Sequence, residues 1–161
     1  MQNDSFENKY DLYGEMLYKI AFLYFGNAHD AEDAIQEVFI KYLSRRPAFK
    51  SNEHEKAWLI RTTQNQCIDM LRAASRKTIS LDDIHLPAKM DDHDLRIDII
   101  SKIIALPHQY KSALILYYYY DYSVAEIAKT LKLSTSAVKM RLKRGRDILK
   151  IELEEHNNEE R

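Results

Sequence analysis

Residues 123–150 run SVAEIAKTLKLSTSAVKMRLKRGRDILK, and the reading of this stretch decides the fold. Ser123 and Glu126 form an S-x-x-E capping box ahead of VAEIAKTL, so a short helix begins there. Ser134 or Thr135 caps a second helix that reaches about Glu152. In that helix Val138, Leu142, Gly145 and Leu149 recur every three or four residues, an apolar seam suited to pack on Ile127, Ala128 and Leu131 of the first. Lys139, Lys143, Arg146 and Lys150 repeat the spacing one residue later, flanked by Met140 and Arg144.

Two helices joined by so short a turn have the outline of a helix-turn-helix. An apolar seam backed by a cationic outer face suits the major groove of a DNA duplex. There Lys and Arg neutralise phosphates or bond guanine edges, and a Met meets a thymine methyl. Small residues at Thr135, Ser136 and Ala137 let the start of the helix approach phosphate. The candidate duplex contacts are Thr135, Ser136, Lys139, Met140, Arg141, Lys143, Arg144 and Arg146. A second reading stays open, in which the cations form a solvated face balanced by the acidic residues after Glu152. Lys132 stands where such turns favour a left-handed Gly, at a strain of roughly 1 kcal/mol if the geometry holds.

The positive charge is local. The 161 residues carry 24 Lys and Arg against 25 Asp and Glu, a formal net charge of -1. With 3 Gly, 3 Pro and no alternating β-branched runs, the composition predicts an all-α protein. No apolar run is long enough to span a bilayer, and the opening MQNDSFENKYDLYGE is too polar and acidic for a secretory signal. A single cysteine, Cys67, has no internal disulfide partner and fits a reducing cytoplasm. The 6 His show no metal-ligand spacing, and DDHD at 91–94 lacks the Gly and distal Glu of a calcium loop. No phosphate-binding Gly-rich loop and no catalytic constellation is present, so neither an enzyme nor a cofactor is expected.

The chain divides into three segments. Phe6, Tyr10, Tyr13, Leu17, Ile20, Ala21 and Tyr24 form one helical stripe, which Gly26 ends, and Asn27 or Asp30 starts the next helix. That second helix buries Ala34, Ile35, Val38, Phe39 and Tyr42. After a loop at Pro47, a third helix from about Glu53 to Arg72 turns Ala57, Ile60, Gln64, Cys67, Ile68 and Leu71 inward. Residues 1–75 therefore form one helical domain, and 76–92, where periodicity fades, form a linker. A second domain over 93–155 holds four short helices, the first presenting Leu95, Ile99, Ile100, Ile103 and Ile104, the next starting at Pro107. An acidic tail, 156–161, follows. Tyr117–Tyr120 cannot all be buried by one helix, so some of these rings face outward, as core filling with wet hydroxyls or as a partner contact.

At this point the chain resembles a known family. LPHQYKSALILYYYYDYSVAEIAKTLKLSTSAVKMRLKRGRDIL (106–149) resembles the promoter-reading domain of bacterial sigma factors of the short extracytoplasmic-function kind. DAEDAIQEVFIKYL (30–43) resembles their core-polymerase-binding helix. AWLIRTTQNQCIDMLR (57–72) resembles their promoter-melting helix, with Trp58, Arg61, Asn65, Asp69 and Arg72 at motif positions. The three motifs stand in the family's order and span nearly the whole chain.

The resemblance implies a role for each segment. Asp33, Gln36, Glu37 and Ile40 share one stripe of the second helix; in the family this face grips the clamp helices of the polymerase β′ subunit, whereas the residues alone suit an ordinary solvated acidic face. Arg45, Arg46, Lys50, Lys56, Trp58, Arg61, Asn65 and Arg72 become the candidates for reading and melting the −10 element, since cations with aromatic rings suit a separated strand. Trp58 as a plain core residue remains the alternative. The family's helix around the tyrosine run holds the polymerase β flap. The implied function is an alternative sigma factor that binds core RNA polymerase and promoter DNA, restrained by an anti-sigma factor, often membrane-anchored. The rival is a stand-alone helix-turn-helix repressor or activator.

Overall fold

The computed structural model describes residues 6–45, 47–75 and 97–159. Arg46, the 76–92 linker, DDHD and Leu95 lie outside them, as do the side chains of Phe6 and Ile99. The chain forms two compact units, divided between Ala88 and Lys89, and helices are the only regular elements of either among the described residues.

In the first unit α1 (Phe6–Phe25), α2 (Ala28–Arg45) and α3 (Asn52–Ala74) each pack on the other two. Gly26 ends α1 at φ 76°, where its amide donates to the Phe22 carbonyl at 2.8 Å. Asn27 starts α2: its Oδ1 accepts from the Asp30 amide at 2.8 Å, and its Nδ2 donates to the Asp30 carboxylate at 2.9 Å. Ser51 caps α3 by accepting from the His54 amide at 3.1 Å.

The single stripe expected of α1 holds for Tyr13, Leu17, Ile20, Ala21 and Tyr24, all buried. Tyr10 departs from it, staying 48% exposed with its ring 5.0 Å from Phe39. Phe22 and Leu23 are buried as well, so residues 20–24 of α1 are enclosed on every side where a lone stripe would leave one side wet. On α3 the core comes from Leu59, Ile60, Thr63, Gln64 and Cys67, whereas Ala57, Ile68 and Leu71 are only half-buried. The inward face is rotated because α3 must meet both α1 and α2.

The second unit comprises α4 (Ile97–Ala105), α5 (His108–Leu114), α6 (Val124–Leu131) and α7 (Thr135–Glu159). α5 runs on into a π-helical turn, Ile115–Tyr119. The longest helix, α7, is the hub on which α4, α5 and α6 pack. It continues to Glu159, past the expected end near Glu152, because neither Gly nor Pro interrupts it after Gly145. Buried Lys111 reaches from α5 to the end of α4, where its ammonium donates to the Ile104 carbonyl at 2.8 Å.

Gly145 sets the approach of α5 to α7. A Cβ at that position would overlap Leu114 Cδ1 and crowd Tyr110 Cβ at 3.3 Å. Gly145→Val is therefore expected to destabilise the protein by about 1–3 kcal/mol through overpacking. Urea denaturation followed by circular dichroism checks this; an unchanged midpoint would contradict the packing.

Candidate nucleic-acid interface

The turn region of the second unit is built as its residues dictate. Ser123 Oγ accepts from the Glu126 amide at 3.1 Å while Glu126 Oε1 accepts from the Ser123 amide at 3.3 Å, closing the capping box. Lys132 holds the left-handed position at φ 56°, ψ 48°, and the next amide, of Leu133, donates to the Ala128 carbonyl at 2.9 Å. Ser134, rather than Thr135, caps α7 by accepting from the Ala137 amide at 3.1 Å. Ile127 and Ala128 are buried in α6 and Val138 and Leu142 in α7, as the seam requires.

Opposite that seam Thr135, Ser136, Lys139, Met140, Lys143, Arg144 and Arg146 are exposed. Ser136, Lys139 and Lys143 follow one another at spacings of three and four along the outer side of α7, with Met140 beside them, and exposed Asp147 ends that line. Arg141 is set apart: it is half-buried and leans on α5, with a guanidinium N–H 3.4 Å from the Gln109 carbonyl. Arg146 donates to the Tyr118 hydroxyl at 3.2 Å, a bond that raises its pKa above the ordinary arginine value.

In the first unit Gln36, Glu37 and Ile40 are exposed on α2, Ile40 to 55%. Asp33 joins their stripe, half-exposed, with its carboxylate 3.6 Å from His29 Nδ1. Leu43, 45% exposed and three residues beyond Ile40, lengthens the apolar end of this surface. Sequence reading passed over it, although the i, i+3 spacing from Ile40 was there to be seen.

Trp58 is packed on one side and open on the other. Its ring packs 5.8 Å from Phe49 and 6.2 Å from Tyr42, and Phe49 in turn stacks on Tyr42 at 6.1 Å, yet Trp58 stays only half-buried. Arg61, Asn65 and Arg72 continue from Trp58 along one stripe of α3. Lys56, two residues before Trp58, leaves the helix on another side, and Arg45 and Lys50 sit exposed at the ends of the preceding loop. Beneath this cluster lies a buried ion pair that no sequence spacing announced. Lys9 Nζ is 2.8 Å from Glu55 Oε1, and the Tyr42 hydroxyl donates to Glu55 Oε2 at 3.0 Å, so α1, α2 and α3 meet in one polar knot.

Residues 10–77 match Sigma-70 region 2, and residues 96–149 match Sigma-70, region 4. The RNA polymerase sigma factor SigV of Bacillus subtilis is 31% identical over 84% of this chain and 83% of its own length. The chain belongs to the sigma-70 family. The ECF RNA polymerase sigma factor SigW of the same organism is 28% identical, covering 93% of this chain and 89% of that protein. Among solved structures the fold is similar to the sigma factor RpoE of Bartonella quintana, crystallised with the anti-sigma factor NepR. Its TM-score is 0.72 at 22% identity, over 92% of this chain and 96% of that one. As an alternative sigma factor of the extracytoplasmic-function type, the protein directs promoter-specific transcription initiation. A stand-alone repressor is set aside, because region 2 accompanies region 4 in a single chain.

Proposed function

We propose that α7 reads the −35 duplex through Ser136, Lys139, Met140 and Lys143, with Thr135 and Arg144 at its margins and Arg141 and Arg146 directed at phosphates. The observation that carries this is the exposed cationic line of α7 directly opposite its buried seam. Asp147 would repel the phosphate backbone, so groove contact stops before it. The −10 element is opened and read in the first unit. There the half-buried Trp58 and its neighbour Phe49 offer flat surfaces to unstacked bases, and Arg45, Arg46, Lys50, Lys56, Arg61 and Arg72 neutralise the strand. Asn65 bonds a base edge.

The acidic stripe of α2 (Asp33, Gln36, Glu37, Ile40) docks on the β′ clamp helices of core polymerase, with Leu43 extending the contact. The end of α5 holds the β flap. A cytoplasmic protein without catalytic or cofactor chemistry suits this role, its energy for strand separation coming from binding alone. An anti-sigma factor, which can be membrane-anchored, covers these faces until a signal releases them; the solved relative bound to NepR supports that reading. No described helix is long and apolar enough to cross a membrane.

Lys143→Ala is expected to weaken promoter binding by the reconstituted holoenzyme by about 1–3 kcal/mol if Lys143 contacts a base, and to relax preference at one −35 position. Binding titrations against a panel of −35 substitutions measure both quantities. Unaltered affinity and unaltered preference would remove α7 as the reader.

A further inference from the structure

The tyrosine run acquires a purpose from one hydrogen bond. In the π turn Ile115 and Leu116 are buried, Tyr117 and Tyr119 are half-buried, and Tyr118 is 54% exposed; Tyr120, just after it, is half-buried. The Tyr117 ring meets the Tyr118 ring nearly edge-on, with centroids 4.9 Å apart and planes at 74°, which limits the rotation of Tyr118. After the turn Asp121 takes φ 56° and the Tyr122 amide returns to the Leu116 carbonyl at 3.0 Å, so the segment is closed by its own backbone. A π turn carries one residue more than an α turn, which shifts the side chains after it around the axis. Tyr118, inside this turn, reaches α7, where its hydroxyl accepts from Arg146 Nη1 at 3.2 Å.

The direction of this bond matters. A phenol that accepts from a guanidinium keeps its own O–H free to donate, and the adjacent cation polarises that O–H. Arg146 likewise retains further N–H groups. Two donors from different elements thus converge beside the duplex-reading line of α7, one charged and one neutral, which is the equipment for gripping a single phosphate.

We propose that Tyr118 and Arg146 form a phosphate clamp, in which the Tyr118 hydroxyl and the Arg146 guanidinium bind one backbone phosphate of the promoter duplex and set the register of α7 in the groove. This rests on α7 being the −35 reader. Tyr118 is a positioning residue: it carries no sequence information itself but holds Arg146 away from solvent-averaged rotamers and adds the second donor. A protein partner for Tyr118, the flap of polymerase, is the competing use of the same ring.

The test uses the full chain in holoenzyme with core polymerase and a promoter duplex in which single −35 phosphates are replaced by neutral methylphosphonates. Wild-type protein is expected to lose affinity about fivefold or more at one particular phosphate. Tyr118→Phe, which keeps the ring and the fold, should weaken binding to the unmodified duplex about three- to tenfold and lose part of its sensitivity to that phosphate. Arg146→Ala should lose most of that sensitivity and lower the salt dependence by about one counterion. Adding Tyr118→Phe to Arg146→Ala should change little further.

Two results overturn the clamp: a Tyr118→Phe protein with wild-type affinity and phosphate profile, or one whose only defect is in joining core polymerase, which would give the ring to the flap. Lys143→Ala run in parallel separates this from the wider reading. If Lys143→Ala weakens binding while Tyr118→Phe does nothing, the clamp fails and the reader helix stands; if neither matters, the reader helix fails too.

Discussion

Reversing two charges on α2, Asp33→Arg with Glu37→Arg, is expected to abolish assembly with core RNA polymerase while the protein stays folded. Both carboxylates stand on the solvent side of α2, one turn apart, and the inward side of that helix is filled by Ala34, Ile35, Val38 and Phe39. The substitutions leave that core untouched and sacrifice, among described contacts, only the 3.6 Å approach of His29 to Asp33 on a largely exposed pair, a negligible loss of stability. At an interface the balance is different. A charge that is desolvated against a complementary partner costs about 2–5 kcal/mol or more when its pairing is broken, and reversal adds repulsion to the loss. Two such reversals bring an affinity of the usual order below detection in a pull-down or fluorescence titration. A folded double mutant, judged by its unfolding curve, that still joins core polymerase with wild-type affinity would refute the α2 docking face.

Lys9→Met is expected to destabilise the first unit by about 3–5 kcal/mol, because it strands a buried carboxylate. Lys9 and Glu55 are 8% and 5% exposed, and the Tyr42 hydroxyl, at 3.0 Å from Glu55, is a hydrogen-bond donor and not a counter-charge. The pair need not be strongly stabilising as it stands, since removing two charges from water offsets much of their attraction. The expectation is therefore asymmetric. Lys9→Met alone is severe, whereas Lys9→Met with Glu55→Gln, which leaves no orphaned charge, should recover a large part of the loss. Denaturant unfolding of the full chain and both variants measures the difference. Equal stability of the single and double variants would show that the carboxylate is not confined as described. Glu55 lies in the first turn of α3, one turn before Trp58, so the single variant should also impair promoter opening more than −35 binding. Permanganate reactivity of unpaired thymines in the holoenzyme–promoter complex reports the first, and titration of a −35 duplex the second.

The second unit was the more legible of the two. Ser123, Glu126 and Ser134 specify their caps through bonds to amides three residues away, and such local chemistry is written in spacing. The seam of Val138 and Leu142 and the cationic line beside it follow from helical periodicity in the same way. Even the unfavourable Lys132 takes the left-handed position expected of it, because the geometry of a tight turn demands such a residue whichever side chain occupies it. Tyr10 stays exposed, since a stripe says which residues share a face and nothing about how far along the helix the neighbours extend.

By itself, then, the order of residues determined the helices, their caps, the charge segregated on α7 and the three family motifs, for each depends on neighbours within a few positions. Only the tertiary structure decided that Lys9 meets Glu55, that Trp58 is half core and half surface, that Gly145 is where two helices touch, and that Tyr118 bonds to Arg146. Those outcomes join residues on different turns and different helices. Their partners are selected by how rigid helices pack, and packing leaves no period in a sequence.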